Sequence, residues 1–182
     1  NTSSTSHPLL NQPLTLPNGT VLRNRLAKAA MSETLGTYDN RPTPGLVRLY
    51  ERWGASGLGL ILTGIVMIDR RALGEPGNVA IEDESDPTVL RQWAKAATAQ
   101  GAALWAQLNH PGKQSTKGLN AFNLAPSAVP FREDMAALFE TPREATGAEI
   151  HDIIERFGRS AAIVKKAGFS GVQIHGAHGY LV

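Results

Sequence analysis

Two runs decide the fold: "GLILTGIV" (Gly59–Val66) and, after a loop and a helical segment, "AALWAQLN" (Ala102–Asn109). Both are short and dominated by Ile, Leu and Ala, the composition of strands buried on both faces of a parallel sheet. Between them lies "MIDRRALGEPGN" (Met67–Asn78), with the Gly and Pro density of a strand-exit loop. Asp86 then reads as a helix N-cap with Pro87 at the first helical position. Leu90, Trp93, Ala94 and Ala97 continue it as an apolar stripe that ends before Gly101.

The strand, loop and helix recur on either side. Upstream, "LAKAAM" (Leu26–Met31) reads as a strand and "SETLGTYDNRPTPG" as its exit loop. Leu46, Tyr50 and Trp53 follow at helical spacing before Gly54 and Gly57. Downstream of Asn109, residues 110 to 145 carry Gly, Pro, Ser and Asn with little periodicity, and a loop that long implies local or functional structure of its own. A capping box, Thr146 with Glu149, opens a third helix. Its apolar side is Ile150, Ile153, Ile154, Phe157, Ala161 and Val164, and "KKAG" closes it. "FSGVQIHG" is the fourth strand, and near the start "PLTLPNGTVLR" reads as a tight hairpin.

Alternating strands and helices imply a parallel sheet with right-handed crossovers, either an open doubly wound sheet or a (β/α)8 barrel. "GLG" at Gly57–Gly59 precedes a strand and lacks a third glycine, so it is no dinucleotide fingerprint. A complete barrel takes about 250 residues. As a barrel the chain would be about half of one, dividing into a flexible tail over residues 1–12, a hairpin lid over 13–25, and the first four β/α units over 26–182.

With 182 residues, 42% of them apolar and 19% charged, the composition is that of a globular protein with one sizeable core. Eighteen basic residues against sixteen acidic ones give a formal charge of +2, without a basic stripe, so nucleic acid is excluded as a partner. The absence of cysteine removes disulfides, thiolate catalysis and Cys-based metal sites. There is neither a basic leader region nor a run of about 18 apolar residues, which sets a cytoplasmic location, with no membrane partner, as the expectation.

In parallel α/β folds the chemistry gathers at the carboxyl ends of the strands. The four exits offer Met31 and Ser32, then Thr63 and Gly64, then Gln107, Asn109 and His110, then His175, His178 and Tyr180. Ser32 and Thr63 read as ordinary strand-end hydrogen-bonders and His110 as part of a turn, while His7 and His151 look incidental. Gln107 is different, because an amide inside an apolar strand needs partners. Two imidazoles three residues apart with a phenol beyond them favour a site over a structural cluster.

At these residues the sequence resembles the Old Yellow Enzyme family of FMN-dependent ene-reductases, or NADH:flavin oxidoreductases. The markers are "LRNRLAKAAM", "GLILTG", "AQLNHPGKQ", "APSAVP" and "AGFSGVQIHGAHGYLV", the last holding the family's histidine, histidine or asparagine, and tyrosine pattern. The resemblance implies a (β/α)8 barrel with FMN across the carboxyl ends of the strands and NADH or NADPH as reductant. Carried over by position, Ala30, Met31 and Ser32 would contact the flavin ring, with Ala30 where the family often has proline. Gly64 would admit the backbone close to the ring, and Gln107 would bond its pyrimidine edge. His175 and His178 would hold the carbonyl oxygen of an enone, and Tyr180 would protonate its α-carbon, since a phenol of pKa about 10 keeps its proton at neutral pH.

The family's remaining four strands, with their arginine and phosphate grip, would lie beyond "VQIHGAHGYLV" (Val172–Val182). This leads to the expectation of an amino-terminal half completed by the missing carboxyl-terminal half or by a complementing chain. Two open sheet edges would otherwise drive self-association, and a homo-oligomer is allowed. Two rival readings remain: a metal-dependent hydrolase with His175 and His178 as ligands, and a non-catalytic half-barrel assembly module.

Overall fold

The computed structural model describes residues 8–182, so the first seven positions of the expected tail, His7 among them, lie outside the described residues. Strands β1 (Leu14–Thr15) and β2 (Val21–Leu22) form the hairpin, Leu14 opposite Leu22. Asn18 Oδ1 accepts from the Thr20 N–H at 3.0 Å, the local bond that makes Asn a turn former. The hairpin then ties to the segments that enter the next strands. Arg23 Nε donates to Leu58 O at 3.0 Å and Asn24 Nδ2 to Gly57 O at 2.7 Å. It therefore covers the amino ends of the strands, opposite the exits.

The main sheet orders β3 (Ala27–Lys28), β4 (Leu60–Met67), β6 (Ala103–Asn109) and β9 (Gly171–Ile174) side by side, every pair parallel. A two-residue β5 (Val79–Ala80) joins the far end of β4. Helices α1 (Pro44–Gly54), α2 (Pro87–Thr98) and α3 (Gly147–Ala167) follow β3, β4 and β6. Their buried residues Leu46, Tyr50, Leu90, Trp93, Ile153 and Val164 share one core with Ile61, Val66, Leu104, Ala106 and Leu108 of the strands. Sequential strand order with the helices sharing one core on one face is the wall of a barrel; a doubly wound sheet reverses order and carries helices on both faces. Trp93 sits at the centre of this core, edge-on to Tyr50 at 5.2 Å and to Phe169 at 5.3 Å. Truncating such a residue to alanine costs about 3–5 kcal/mol.

Several local expectations are met with changes. The β3 ladder is shorter than Leu26–Met31, because the Gly64 N–H beyond it goes to the Glu33 carboxylate at 2.9 Å instead of to β3. Thr43 caps α1, accepting from the Leu46 N–H at 3.2 Å. Asp86 does stand at the N-cap of α2, but its carboxylate pairs with Arg41 Nη1 at 2.9 Å and makes no cap bond. The capping box of α3 is complete, and Gly168 ends that helix at a left-handed φ of 100° that favours glycine. On α3 only Ile153 and Val164 of the expected stripe are buried; Ile150 and Ile154 are exposed. With Phe157, Ala161, Val172 and Ile174 they line an apolar groove of about 590 Å³ along the β9 edge. The long loop has structure of its own, β7 (Leu124–Ala125) lying parallel to β8 (Arg143–Glu144). Among the described residues no helix is long and apolar enough to cross a membrane.

The register sets the face that matters. Ile65, Gln107 and Gln173 form one row across β4, β6 and β9, and Met67 with Asn109 the next. The His175 N–H donates to Leu108 O at 2.9 Å and carries the ladder on, so His175 continues from that second row.

Candidate active site

Four strand exits meet at the carboxyl edge of the sheet. At the first, Ala30, Met31 and Ser32 make no backbone hydrogen bond to another described residue. Met31 and Ser32 are exposed. The resemblance would give the backbone groups of Ala30 and Met31 to the flavin ring, and it puts Ser32 where a side chain hydrogen-bonds that ring.

Glu33, which the sequence did not single out, clamps this segment from behind. Its carboxylate accepts from the Gly64 N–H at 2.9 Å and from the hydroxyl of the fully buried Tyr50. Burial and the Glu33 charge push the Tyr50 phenol far above its ordinary value. A Cβ on Gly64 would run into Met31 O and the Glu33 carboxylate. The close approach that this glycine permits is thus that of the β3 exit. Lys28 lies behind the same clamp, its ammonium 4.1 Å from the Trp53 ring, and burial pulls its pKa down against the opposing charge of Glu33. Thr63 is structural: its hydroxyl donates to Gly64 O at 2.7 Å and accepts from the Gln107 N–H at 2.9 Å where the β4–β6 register shifts.

At the third exit Gln107 is almost wholly buried and its Nε2 donates to Gln173 Oε1 at 2.9 Å. His110 turns away from this face. It is buried beside a cavity of about 260 Å³ lined by Asp69, Asn120 and Asp152, and its Nδ1 accepts from the Gly112 N–H at 3.1 Å. Burial drives its pKa down to about 4, with Arg156 adding to the fall and Asp69 opposing it.

The fourth exit brings the candidate catalytic groups together. His178 adopts a left-handed φ of 61°, folding the loop back so that its Nδ1 lies 3.3 Å from His175 Nε2. The Tyr180 ring packs edge-on to His175 at 4.9 Å. The Leu181 N–H donates to His110 O at 3.2 Å and pins the loop to the third exit. Burial first, then His178, lowers the His175 pKa, which keeps that imidazole neutral at pH 7. Burial and the charge of Glu75 raise the Tyr180 phenol above its ordinary value. Glu75 is held in turn by Asn78, whose Oδ1 accepts its N–H at 2.8 Å. Neither Glu75 nor Gln173 stood out in the sequence. The alternating face of β9 hints at Gln173, while Glu75 reaches the site only through a loop packing that no local signal reveals.

The arrangement offers two imidazoles able to grip one oxygen, a phenol beside them, and an amide one row below. Among the described residues no group of three or more His, Cys, Asp or Glu side chains could hold a metal ion, and the hydrolase reading finds no support there.

The profile of the NADH:flavin oxidoreductase / NADH oxidase family matches residues 9–182. The NADH-dependent flavin oxidoreductase iliE of Hypocrea jecorina is 37% identical over 187 residues, covering 93% of this chain and 47% of that protein. Among solved structures, the old yellow enzyme homologue from Zymomonas mobilis superposes with a TM-score of 0.84 at 27% identity, covering 96% of this chain and 50% of its own. Morphinone reductase in complex with tetrahydroNAD gives 0.83 at 26% identity, covering 94% and 50%. The chain thus spans about half the length of these relatives. Its fold is a (β/α)8 barrel of which it supplies the amino-terminal hairpin and the first four strands.

Proposed function

Because the chain belongs to the NADH:flavin oxidoreductase / NADH oxidase family, we propose that it carries the substrate loop of an FMN-dependent reductase acting on the C=C bond of α,β-unsaturated carbonyl compounds. NADH or NADPH is the reductant in this reading. The observation that carries it is the His175–His178 pair across 3.3 Å, with Tyr180 packed on His175.

The residues suit the cofactor. The free backbone groups of Ala30 and Met31, the hydroxyl of Ser32 and the amide of Gln107 would hold a flat ring edged with donors and acceptors. FMN, when bound, supplies hydride chemistry that no side chain possesses. The chain's own residues do the rest. An acceptor oxygen entering beside the histidines replaces the contact that the two rings make with each other. His175 Nε2 and His178 Nδ1, both as N–H, then donate to it and draw electron density away from the β-carbon. Tyr180 delivers a proton to the α-carbon, and its raised pKa keeps that proton in place through neutral pH.

The proposal extends to assembly. The apolar groove on α3 and β9 is the seat of the remaining barrel units, supplied by the rest of the protein or by a complementing chain. A cytoplasmic setting, where NAD(P)H is at hand, belongs to the same proposal.

Anaerobic stopped-flow on the full-length protein tests the activity. Flavin bleached by NADH or NADPH is expected to regain its oxidised absorbance on mixing with a cyclic enone. Recovery no faster than with buffer would sink the reading.

A further inference from the structure

Gln107 and Gln173 are register partners on neighbouring strands, and the Gln107 Nε2 donates to Gln173 Oε1 at 2.9 Å. Both side chains lie on the face away from the helices, since Ala106 and Leu108, which flank Gln107 in β6, belong to the helix-side core. A primary amide presents an acceptor on one side and a donor on the other, and a half-turn about its terminal bond exchanges them with almost no change of shape. An amide that reads a ligand edge therefore discriminates only when a neighbour fixes which way it points.

We propose that Gln173 is a positioning residue that orients Gln107: by accepting from Nε2 it turns the Gln107 carbonyl oxygen away from β9 and leaves that oxygen and the second amide N–H to the ligand. The edge selected is one that carries an N–H beside a C=O, as in a cyclic imide. This rests on the flavin reading above and states which groups of Gln107 the cofactor meets. Gln173 itself need touch nothing but Gln107.

The full-length protein provides the test, with FMN affinity from fluorescence titration and the flavin absorption spectrum as readouts. Gln173→Glu keeps an acceptor at the same place and is expected to hold FMN within about threefold of the parent, with an unchanged spectrum. Gln173→Met removes the acceptor at similar volume and is expected to weaken FMN about tenfold, as is Gln107→Met. The double variant should be no weaker than Gln107→Met, because the two residues act through one contact. Loss of affinity in Gln173→Glu, full affinity in Gln173→Met, or additive losses in the double variant would each overturn the proposal while leaving the flavin reading intact. Full affinity in Gln107→Met would remove Gln107 from the cofactor site, and the proposal with it.

Discussion

His178 Nδ1 stands 3.3 Å from His175 Nε2 because the backbone at His178 is left-handed, with φ 61°. That conformation suits glycine and asparagine and penalises β-branched residues by roughly 1–2 kcal/mol. Asparagine at this position would keep both the turn and a donor aimed at the shared oxygen. His178→Asn is therefore expected to retain enone affinity within about tenfold, one neutral hydrogen bond's worth. His178→Val should lose more than that and melt earlier. Enone KM and thermal midpoints check it, and equal behaviour of the two variants would show that neither the turn nor the donor matters.

Tyr180 is assigned the proton. Tyr180→Phe is expected to slow flavin reoxidation by an enone by about 10²-fold or more while leaving reduction by NAD(P)H nearly intact. Glu75 helps hold that proton, since its charge raises the Tyr180 pKa behind the larger effect of burial. Glu75→Gln should accordingly lower the phenol's pKa and bring the alkaline limb of the enone half-reaction to lower pH. An alkaline limb that stays where it was would remove Glu75 from the site's electrostatics.

What the sequence discloses follows from how far each cause reaches along the chain. The β4 and β6 runs, Pro87 at the head of α2 and the Thr146–Glu149 box are local chemistry, and each sits where its residues place it. The histidine and tyrosine loop is equally local, so its grouping was legible before its geometry. The Gln107–Gln173 bond joins residues 66 positions apart and the Glu33–Tyr50 contact spans 17, and both depend on register and helix packing that no short window encodes. Ile150 and Ile154 mislead for the same reason: helical spacing marks an apolar face, but only a neighbouring element can bury it.

The Glu33 clamp should carry stability as well as shape. Tyr50→Phe deprives a partly buried carboxylate of one donor and is expected to cost about 1–3 kcal/mol. Gly64→Ala should cost more, because the added methyl meets Met31 O and Glu33 at once. Chemical denaturation of the FMN-free protein separates these effects from cofactor binding. A Gly64→Ala variant as stable as the parent would mean that the β3 exit moves aside freely.

Expressed alone, the 182-residue polypeptide presents the groove on α3 and β9 to solvent, with Ile154 60% exposed and Ile174 55% exposed. Apolar faces of this kind drive association. The polypeptide is expected to elute above its 19.5 kDa mass in size exclusion. Ile150→Lys combined with Ile154→Lys should shift it towards that mass. A parent already eluting as a compact monomer would show that the groove is self-sufficient.

His110 makes an acid-labile contribution whose sign follows from its burial. Its pKa falls from the ordinary 6.5 to about 4, so between those values the unfolded chain binds a proton that the folded chain refuses. The unfolded state holds more protons there, and stability must fall as pH falls through that window, with nothing lost above it. Between pH 7.5 and 5 the loss from this one group is about 2 kcal/mol. Asp69 opposes the shift and Arg156 adds to it, so both charges must stay in place for the comparison. His110→Gln keeps an acceptor for the Gly112 N–H but cannot titrate. It should start less stable at pH 7.5 and then lose about 2 kcal/mol less than the parent on going to pH 5. Urea unfolding at the two pH values measures the difference directly, and parallel losses in parent and variant would place the acid sensitivity elsewhere.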